Sequence, residues 1–319
     1  MERLGGNLDR AEAGSRNSEK PVMVLGAGEE HLVERGTRRA EIPEELSNLN
    51  ELDCEYDEKR QTLWTFMRPA DRPSFTPRML SDFVDWQRLI GDNFGPGKVP
   101  LRFLVLGSRA PGVFCFGGDL ELFQQFIRDQ NRVGLVQYGY RCVEILHRNM
   151  NALDLPMLTV GLVEGAALGG GFEALLSFDY IVAERGATFG LPEVMFGLFP
   201  GMGAHAILSR KLGSALADRL IVSNETYTAE QMHEYGIVHH LAEPGEGLDA
   251  CRDLIDRSAR RHTGLVNARK ASRIAAPVSL SELKRITELW ADAALQLREQ
   301  DLKVMCRLAS AQSRIVKAA

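Results

Sequence analysis

Three consecutive glycines, Gly169, Gly170 and Gly171, follow an apolar β-type run over residues 157–163 and a turn at Gly165. Adjacent glycines let a backbone take φ > 0 and come close to another chain segment or a ligand. A helix-like segment over 172–178 comes next, then a second strand over 180–183. A helix that begins at such a turn presents unpaired N–H groups, which suit an anion or a developing oxyanion. Two carboxylates frame the turn: Glu173, just inside the helix, and Glu193, twenty residues on, after Leu191 and Pro192. Backbone donors beside two acid/base groups point to catalysis on a carbonyl compound.

The competing reading is a dinucleotide site, because Gly169-Gly170-Gly171-Phe172-Glu173-Ala174 fits G-x-G-x-x-A after a strand. Glu193 even falls where a ribose acid would stand. Two features disfavour it. Glu173 lies beside the helix N-terminus, where a pyrophosphate needs positive potential. Glu193 follows Gly190-Leu191-Pro192 in a broken loop, not the end of a second strand.

The flanking sequence reads as α/β. Leu52, Cys54 and Tyr56 alternate, a turn follows at 57–60, and 63–67 resumes as a strand, which is a hairpin pattern. Thr76-Pro77 opens a helix with an N-cap and a proline in its first turn. A strand is expected over 101–106, then a loop with a second glycine turn after it, then helices over 120–128 and 133–149. Beyond the central stretch, helices are expected over 204–212 and 215–222. Thr228-Ala-Glu-Gln reads as a capping box opening a short helix that Gly236 closes, with the last strand over 237–241. From Leu248 the pattern is almost wholly helical and includes one long segment over 281–314. Strands separated by helices imply much parallel pairing.

At 319 residues the chain has ample length for a core. A net charge of −5 gives nucleic-acid binding no support, although local Arg/Lys clusters could meet an acidic partner. Five scattered cysteines without a C-x-x-C pair favour free thiols in a reducing compartment. No apolar run reaches membrane-span length and no signal-peptide core opens the chain, so a cytoplasmic protein with no membrane insertion is expected.

The motifs together resemble the crotonase (enoyl-CoA hydratase/isomerase) superfamily, over roughly 63–241. Phe114-Cys115-Phe116-Gly117-Gly118-Asp119-Leu120 is similar to the family's first oxyanion turn, and 165–173 to its second. Thr188-Phe-Gly-Leu-Pro-Glu193 and 197–203 resemble the segment with the second acid. The resemblance implies a ββα superhelix core over 48–245 and a helical C-terminal region over 246–319; the segment before it, 1–47, opens polar and without an apolar period and is expected to be a flexible N-terminal extension. It implies oxyanion donors at the backbone N–H groups of Phe116 and Gly170, catalytic Glu173 and Glu193, and substrate contacts at Gly117, Gly169 and Leu198. No cofactor or metal is implied. A homo-oligomer, a trimer or a dimer of trimers, is.

Within the superfamily, Leu63-Trp-Thr-Phe-Met-Arg-Pro with Arg72-Pro-Ser-Phe-Thr-Pro, and Leu297-Arg-Glu-Gln-Asp-Leu-Lys-Val-Met with Ala311-Gln312, resemble the diffusible signal factor synthases. That likeness implies dehydration of a 3-hydroxyacyl thioester on acyl carrier protein, then hydrolysis to a cis-2-unsaturated acid, with a signalling receiver domain as a partner. The long segment before Leu52 departs from that pattern. A hydratase acting on acyl-CoA would share every catalytic residue, whereas an idle binding protein of this fold would not need both acids. Taken singly, each acid has a plainer reading: Glu173 as a dipole-stabilised helix residue and Glu193 as a loop acid. Asp119 reads as a helix cap, His239-His240 as packing, and Met195, Phe196, Leu198 and Phe199 as either acyl tunnel or core.

Overall fold

The hairpin expected at Leu52 is present, and it starts a sheet that grows strand by strand through crossover connections. The structure, a computed structural model, describes residues 42–318. Strands β1 (Leu52–Asp57) and β2 (Thr62–Met67) pair antiparallel, with Leu52 opposite Met67. Thr76 then caps α1 (Pro77–Asn93) by accepting the Met79 N–H at 3.1 Å. In order follow β3 (Phe103–Ser108), β4 (Val113–Cys115), α2 (Leu120–Arg128), α3 (Arg132–Met150), β5 (Leu158–Val163), β6 (Ala166–Leu168) and α4 (Gly170–Leu175). Next come β7 (Tyr180–Glu184), β8 (Thr188–Gly190), α5 (Ala204–Leu212), α6 (Ser214–Val222), β9 (Thr226–Thr228), α7 (Ala229–Glu234) and β10 (His240–Ala242). Four helices close the chain: α8 (Gly247–Ala259), α9 (His262–Ala275), α10 (Leu280–Ala294) and α11 (Glu299–Ala318).

The strands form two sheets. The larger has order β1-β2-β3-β5-β7-β10, parallel after the first hairpin, and the smaller has order β4-β6-β8-β9. Each pass of the chain leaves one strand in each sheet: β3 then β4, β5 then β6, β7 then β8. Helices return the chain between passes, which is the expected ββα superhelix. Alternation along each strand divides the larger sheet's side chains between two cores. Leu104, Leu106 and Val163 face the main core, while Phe103, Val105, Leu158, Val160 and Leu162 face Cys251, Leu254, Ile255 and Val266 of α8 and α9. Burial on both sides explains why β5 is a continuous apolar run and not an alternating one.

Several sequence expectations need correction. The smaller sheet was hidden: its strands span only three residues each, too short for a period to show, and β4, β6 and β8 lie in stretches that read as glycine loops. The last strand is β10, not 237–241. Ile237 and Val238 are core residues, held where both their N–H groups meet the Met232 carbonyl. The long helix over 281–314 is two helices, α10 and α11, because the chain turns at 295–298, where Asp301 accepts the Arg298 N–H.

Most of the N-terminal extension lies outside the described residues, but its end is not a loose tail. A 3-10 turn, Glu44–Asn48, buries Leu46 completely. The C-terminal helices pack on this same chain. α8 covers the larger sheet, α10 lies along α3, and α11 lies along α2. All five cysteines are free thiols.

Candidate active site

Glycine makes the site by letting two turns touch. Gly117, at φ +90°, sits so close to Gly170 that a Cβ there would meet the Gly170 nitrogen at 2.5 Å. A Cβ on Gly171 would fall 2.2 Å from the Cys115 carbonyl oxygen. The turn after β4 and the start of α4 are therefore in contact, backbone against backbone. Gly170 is the first residue of α4, where the N–H has no partner within the helix. It faces a cavity of about 210 Å³.

Both glutamates line that cavity and both are buried, Glu173 at 1% and Glu193 at 9% exposure. Glu173 leaves α4 toward the start of α5. Its Oε1 accepts the N–H groups of Met202 and Ala204, each at 2.9 Å. Glu193 stands on a 3-10 turn, Pro192–Phe196, that Gly197 ends with φ +77°. Its Oε1 lies 2.8 Å from where a Cβ on Gly169 would be, so glycine at 169 makes room for the acid. Its Oε2 has no hydrogen-bond partner among the described residues.

Burial raises both carboxyl groups above their ordinary range, Glu173 to about 7 and Glu193 to about 8. The causes then diverge. Backbone donors pull Glu173 down again, while the charge on Glu173 pushes Glu193 further up. Both acids therefore hold their protons to higher pH than an ordinary carboxyl, and Glu193 carries the additional upward push.

The remaining expected residues divide. Leu198 and Gly169 line the cavity, as does Phe196, whereas Met195 is about half exposed and Phe199 packs on His205. Gly117 is set behind the wall, against Gly170. Phe116 lines the cavity, but its N–H donates to the Pro73 carbonyl at 2.7 Å. The expected first oxyanion donor is thus engaged in this structure. The loop after β2 turns back and ties itself there, with Phe75 N–H also bonded to the Gly117 carbonyl. Asp119 caps α2 through the Leu122 N–H and pairs with Arg72. His239 accepts the Ile181 N–H, and burial lowers its pKa to about 3. No cluster with metal-binding geometry occurs among the described residues.

Sequence reasoning missed the rest of the wall. Phe123, Tyr138, Cys142, Thr287, Trp290, Leu308 and Gln312 arrive from α2, α3, α10 and α11. Trp290 packs on Gly201, and Thr287 donates to the Gly201 carbonyl, so α10 buttresses the loop that holds Glu173. The helical pattern over 281–314 was readable, but not what its buried face would cover.

This pairing of two sheets, with two touching glycine turns beside two buried acids, defines a crotonase fold. The sequence model described as "Enoyl-CoA hydratase/isomerase" matches residues 63–316, and the chain belongs to that family. Among curated proteins it is similar to rat mitochondrial methylglutaconyl-CoA hydratase, 32% identical over 47% of this chain and 45% of that protein. The human mitochondrial enoyl-CoA hydratase domain-containing protein 2 is 36% identical over 47% of this chain and 49% of its own length. The chain therefore spans about half the length of the curated relatives it matches. Among solved structures, the enoyl-CoA hydratase of Bacillus halodurans superposes with a TM-score of 0.67 at 19% identity, covering 81% of this chain and all (100%) of that one. Pseudomonas aeruginosa DspI superposes at 0.59 and 22% identity, covering 73% of this chain and 90% of that one. At those identities the superpositions speak to fold. No helix among the described residues is long and apolar enough to cross a membrane.

Proposed function

We propose that this chain dehydrates a 3-hydroxyacyl thioester carried on acyl carrier protein and then hydrolyses the product, releasing a cis-2-unsaturated acid as a diffusible signal factor synthase does. The observation that carries the reading is the pair of buried carboxyls, in unlike hydrogen-bonding surroundings, over one apolar cavity. Carbonyl polarisation falls to the Gly170 N–H at the start of α4. The Gly118 nitrogen, 3.5 Å from where a Cβ on Gly170 would be, is the nearest further backbone donor on the cavity wall, and the Phe116 N–H serves only if Pro73 yields it.

Glu173, ionised, takes the C2 proton. Glu193, protonated, gives its proton to the C3 hydroxyl, which leaves as water while the C2–C3 double bond forms. The two acids have now exchanged states, and hydrolysis exchanges them back. Glu193, as carboxylate, takes a proton from a water that bonds to C1. Glu173 protonates the carrier thiolate as the C1–S bond breaks. Carrier preference, cis geometry and hydrolysis draw support from the sequence likeness at 63–77 and 297–312.

A second reading is supported by the names of the relatives, which are CoA-thioester hydratases. The same acids would then equilibrate a trans-enoyl and a 3-hydroxyacyl thioester without freeing the acid. Mass spectrometry of the reaction with a 3-hydroxyacyl carrier-protein thioester, against cis and trans standards, separates the two. Free cis-2-enoic acid is the expected product. Accumulation of thioester-bound trans product alone would overturn the synthase reading in favour of the hydratase.

A further inference from the structure

Met202 and Ala204, the two donors to Glu173 Oε1, stand on either side of Gly203, which has φ +112°, and Gly201 precedes them. Glycines at alternate positions leave a backbone free to take many conformations, yet here two N–H groups must converge on one oxygen. One face of α10 lies against this stretch. Leu283, Thr287 and Trp290 are spaced four and then three residues apart, so their side chains share that face. Leu283 covers Gly203, where a Cβ would meet its Cδ2 at 2.4 Å. The Trp290 ring covers Gly201, where a Cβ would meet its Cγ at 2.6 Å. Between them Thr287, 1% exposed, brings its hydroxyl to the Gly201 carbonyl at 3.1 Å. The Leu283 carbonyl, one turn back, is equally near, so the single hydroxyl hydrogen faces both oxygens.

The Gly201 carbonyl and the Met202 N–H are the two ends of one peptide group. That group is planar, so a bond that fixes the direction of the carbonyl also fixes the direction of the N–H. Thr287 meets the carbonyl and Glu173 takes the N–H, which makes hydroxyl, peptide and carboxylate one chain of bonds. Donation to the carbonyl also polarises the peptide and strengthens its N–H as a donor. Thr287 is itself held from behind, because a Cβ on Gly139 of α3 would meet Thr287 Cγ2 at 2.3 Å. Ion pairs on either side, Lys284 with Glu144 and Arg132 with Asp292, each at 2.6 Å, tie α10 to α3. We propose that Thr287 is a positioning residue for Glu173, acting through the peptide between Gly201 and Met202. This rests on the acid/base reading of Glu173 above and adds to it what aims that acid.

Thr287→Val keeps the volume and branching and removes the hydroxyl, whereas Thr287→Ser keeps the hydroxyl. The readout is the Glu173 carboxyl itself, titrated by carbon NMR in the full chain with Glu193→Gln as background, so that Glu173 titrates without its partner acid. The other titratable group that faces Glu173 is the Cys142 thiol on α3, which burial holds far above its ordinary value and so keeps neutral. With the Met202 donor loosened, the carboxylate is less stabilised. Thr287→Val is therefore expected to raise the Glu173 midpoint by about half a pH unit or more, and Thr287→Ser to leave it near its starting value. A residue that only fills space gives the opposite pattern, because serine loses the methyl packed on Gly139 and valine does not. An unmoved midpoint in Thr287→Val overturns the proposal, as does an equal rise in Thr287→Ser. If the valine variant does not fold, Thr287→Ala against Thr287→Ser isolates the same hydroxyl, since both lack the methyl. Turnover of a 3-hydroxyacyl carrier-protein thioester is measured alongside with Glu193 intact. In Thr287→Val, kcat is expected to fall about tenfold with KM within about twofold. A raised midpoint with unchanged turnover sinks the acid/base reading of Glu173 and leaves the positioning role, and lower turnover with an unmoved midpoint does the reverse.

Discussion

Glu173 is met by N–H groups from Met202 and Ala204, while Glu193 presents one oxygen with no partner among the described residues. In the proposed mechanism that difference puts the proton on Glu193, and two outcomes follow from it. Glu173→Gln and Glu193→Gln are each expected to lower turnover by about 10²-fold or more with the fold intact, the scale of a lost acid/base group. Near-normal rates in either purified variant would remove that residue from the mechanism. Stability should move the other way. The Glu193 carboxyl is raised from 4.5 to about 8, so on going up through that window the unfolded chain releases its proton first. The folded state's share of stability is whole below the lower value and is lost as pH passes the upper one. Wild type should therefore lose melting temperature relative to Glu193→Gln between about pH 5 and about pH 8, and a constant difference across that range would contradict the assignment. At this scale much was legible: both acids follow conspicuous glycine turns. The Phe116 donor was not, because its capture by Pro73 joins residues far apart in sequence through a bond between backbones, which leaves no side-chain signature.

Helices and long strands announced themselves, and short strands did not. Capping at Thr76 and the capping box at Thr228 both appear as their residues require. The smaller sheet, which carries the glycine turns, stayed hidden because three residues hold no period and glycine reads as loop. Its geometry nevertheless makes a sharp statement about one position. Gly171 packs its α-carbon on the end of β4, where a Cβ would meet the Cys115 oxygen at 2.2 Å and the Cys115 carbonyl carbon at 2.8 Å. Neither atom is a flexible side-chain end, so the helix start must move. Gly171→Ala is expected to cost at least about 2 kcal/mol of stability, within the range for overpacking. Gly186→Ala, where a Cβ would meet nothing within 4 Å, should stay within about 0.5 kcal/mol of wild type. Chemical denaturation of both reads the difference, and similar midpoints would mean that the two turns do not touch as described.

For the molecule as a whole, the C-terminal helices settle on their own chain, which periodicity left open, since an apolar stripe does not say whose surface it meets. Exposed apolar side chains remain, among them Ile274 on α9 and Leu289 on α10, and two more stand beside the site. Met195 is 49% exposed and Val194 is 39% exposed, and both stand on the 3-10 turn that presents Glu193. A solvent-facing valine and methionine on the turn that aims a catalytic acid are an odd place to leave unsupported. We propose that a second copy of the chain covers that turn in a homo-oligomer, a trimer or a dimer of trimers as the family resemblance implies. Closed symmetry would repeat the contact at every subunit and hold each Glu193 from outside. Sedimentation at micromolar concentration is expected to show the oligomer, and a monomer there would overturn the idea. Met195→Asp places a charge in the contact and is expected to shift the distribution toward monomer while lowering turnover. Should assembly weaken with turnover unchanged, the neighbour would be shown to have no part in positioning the acid.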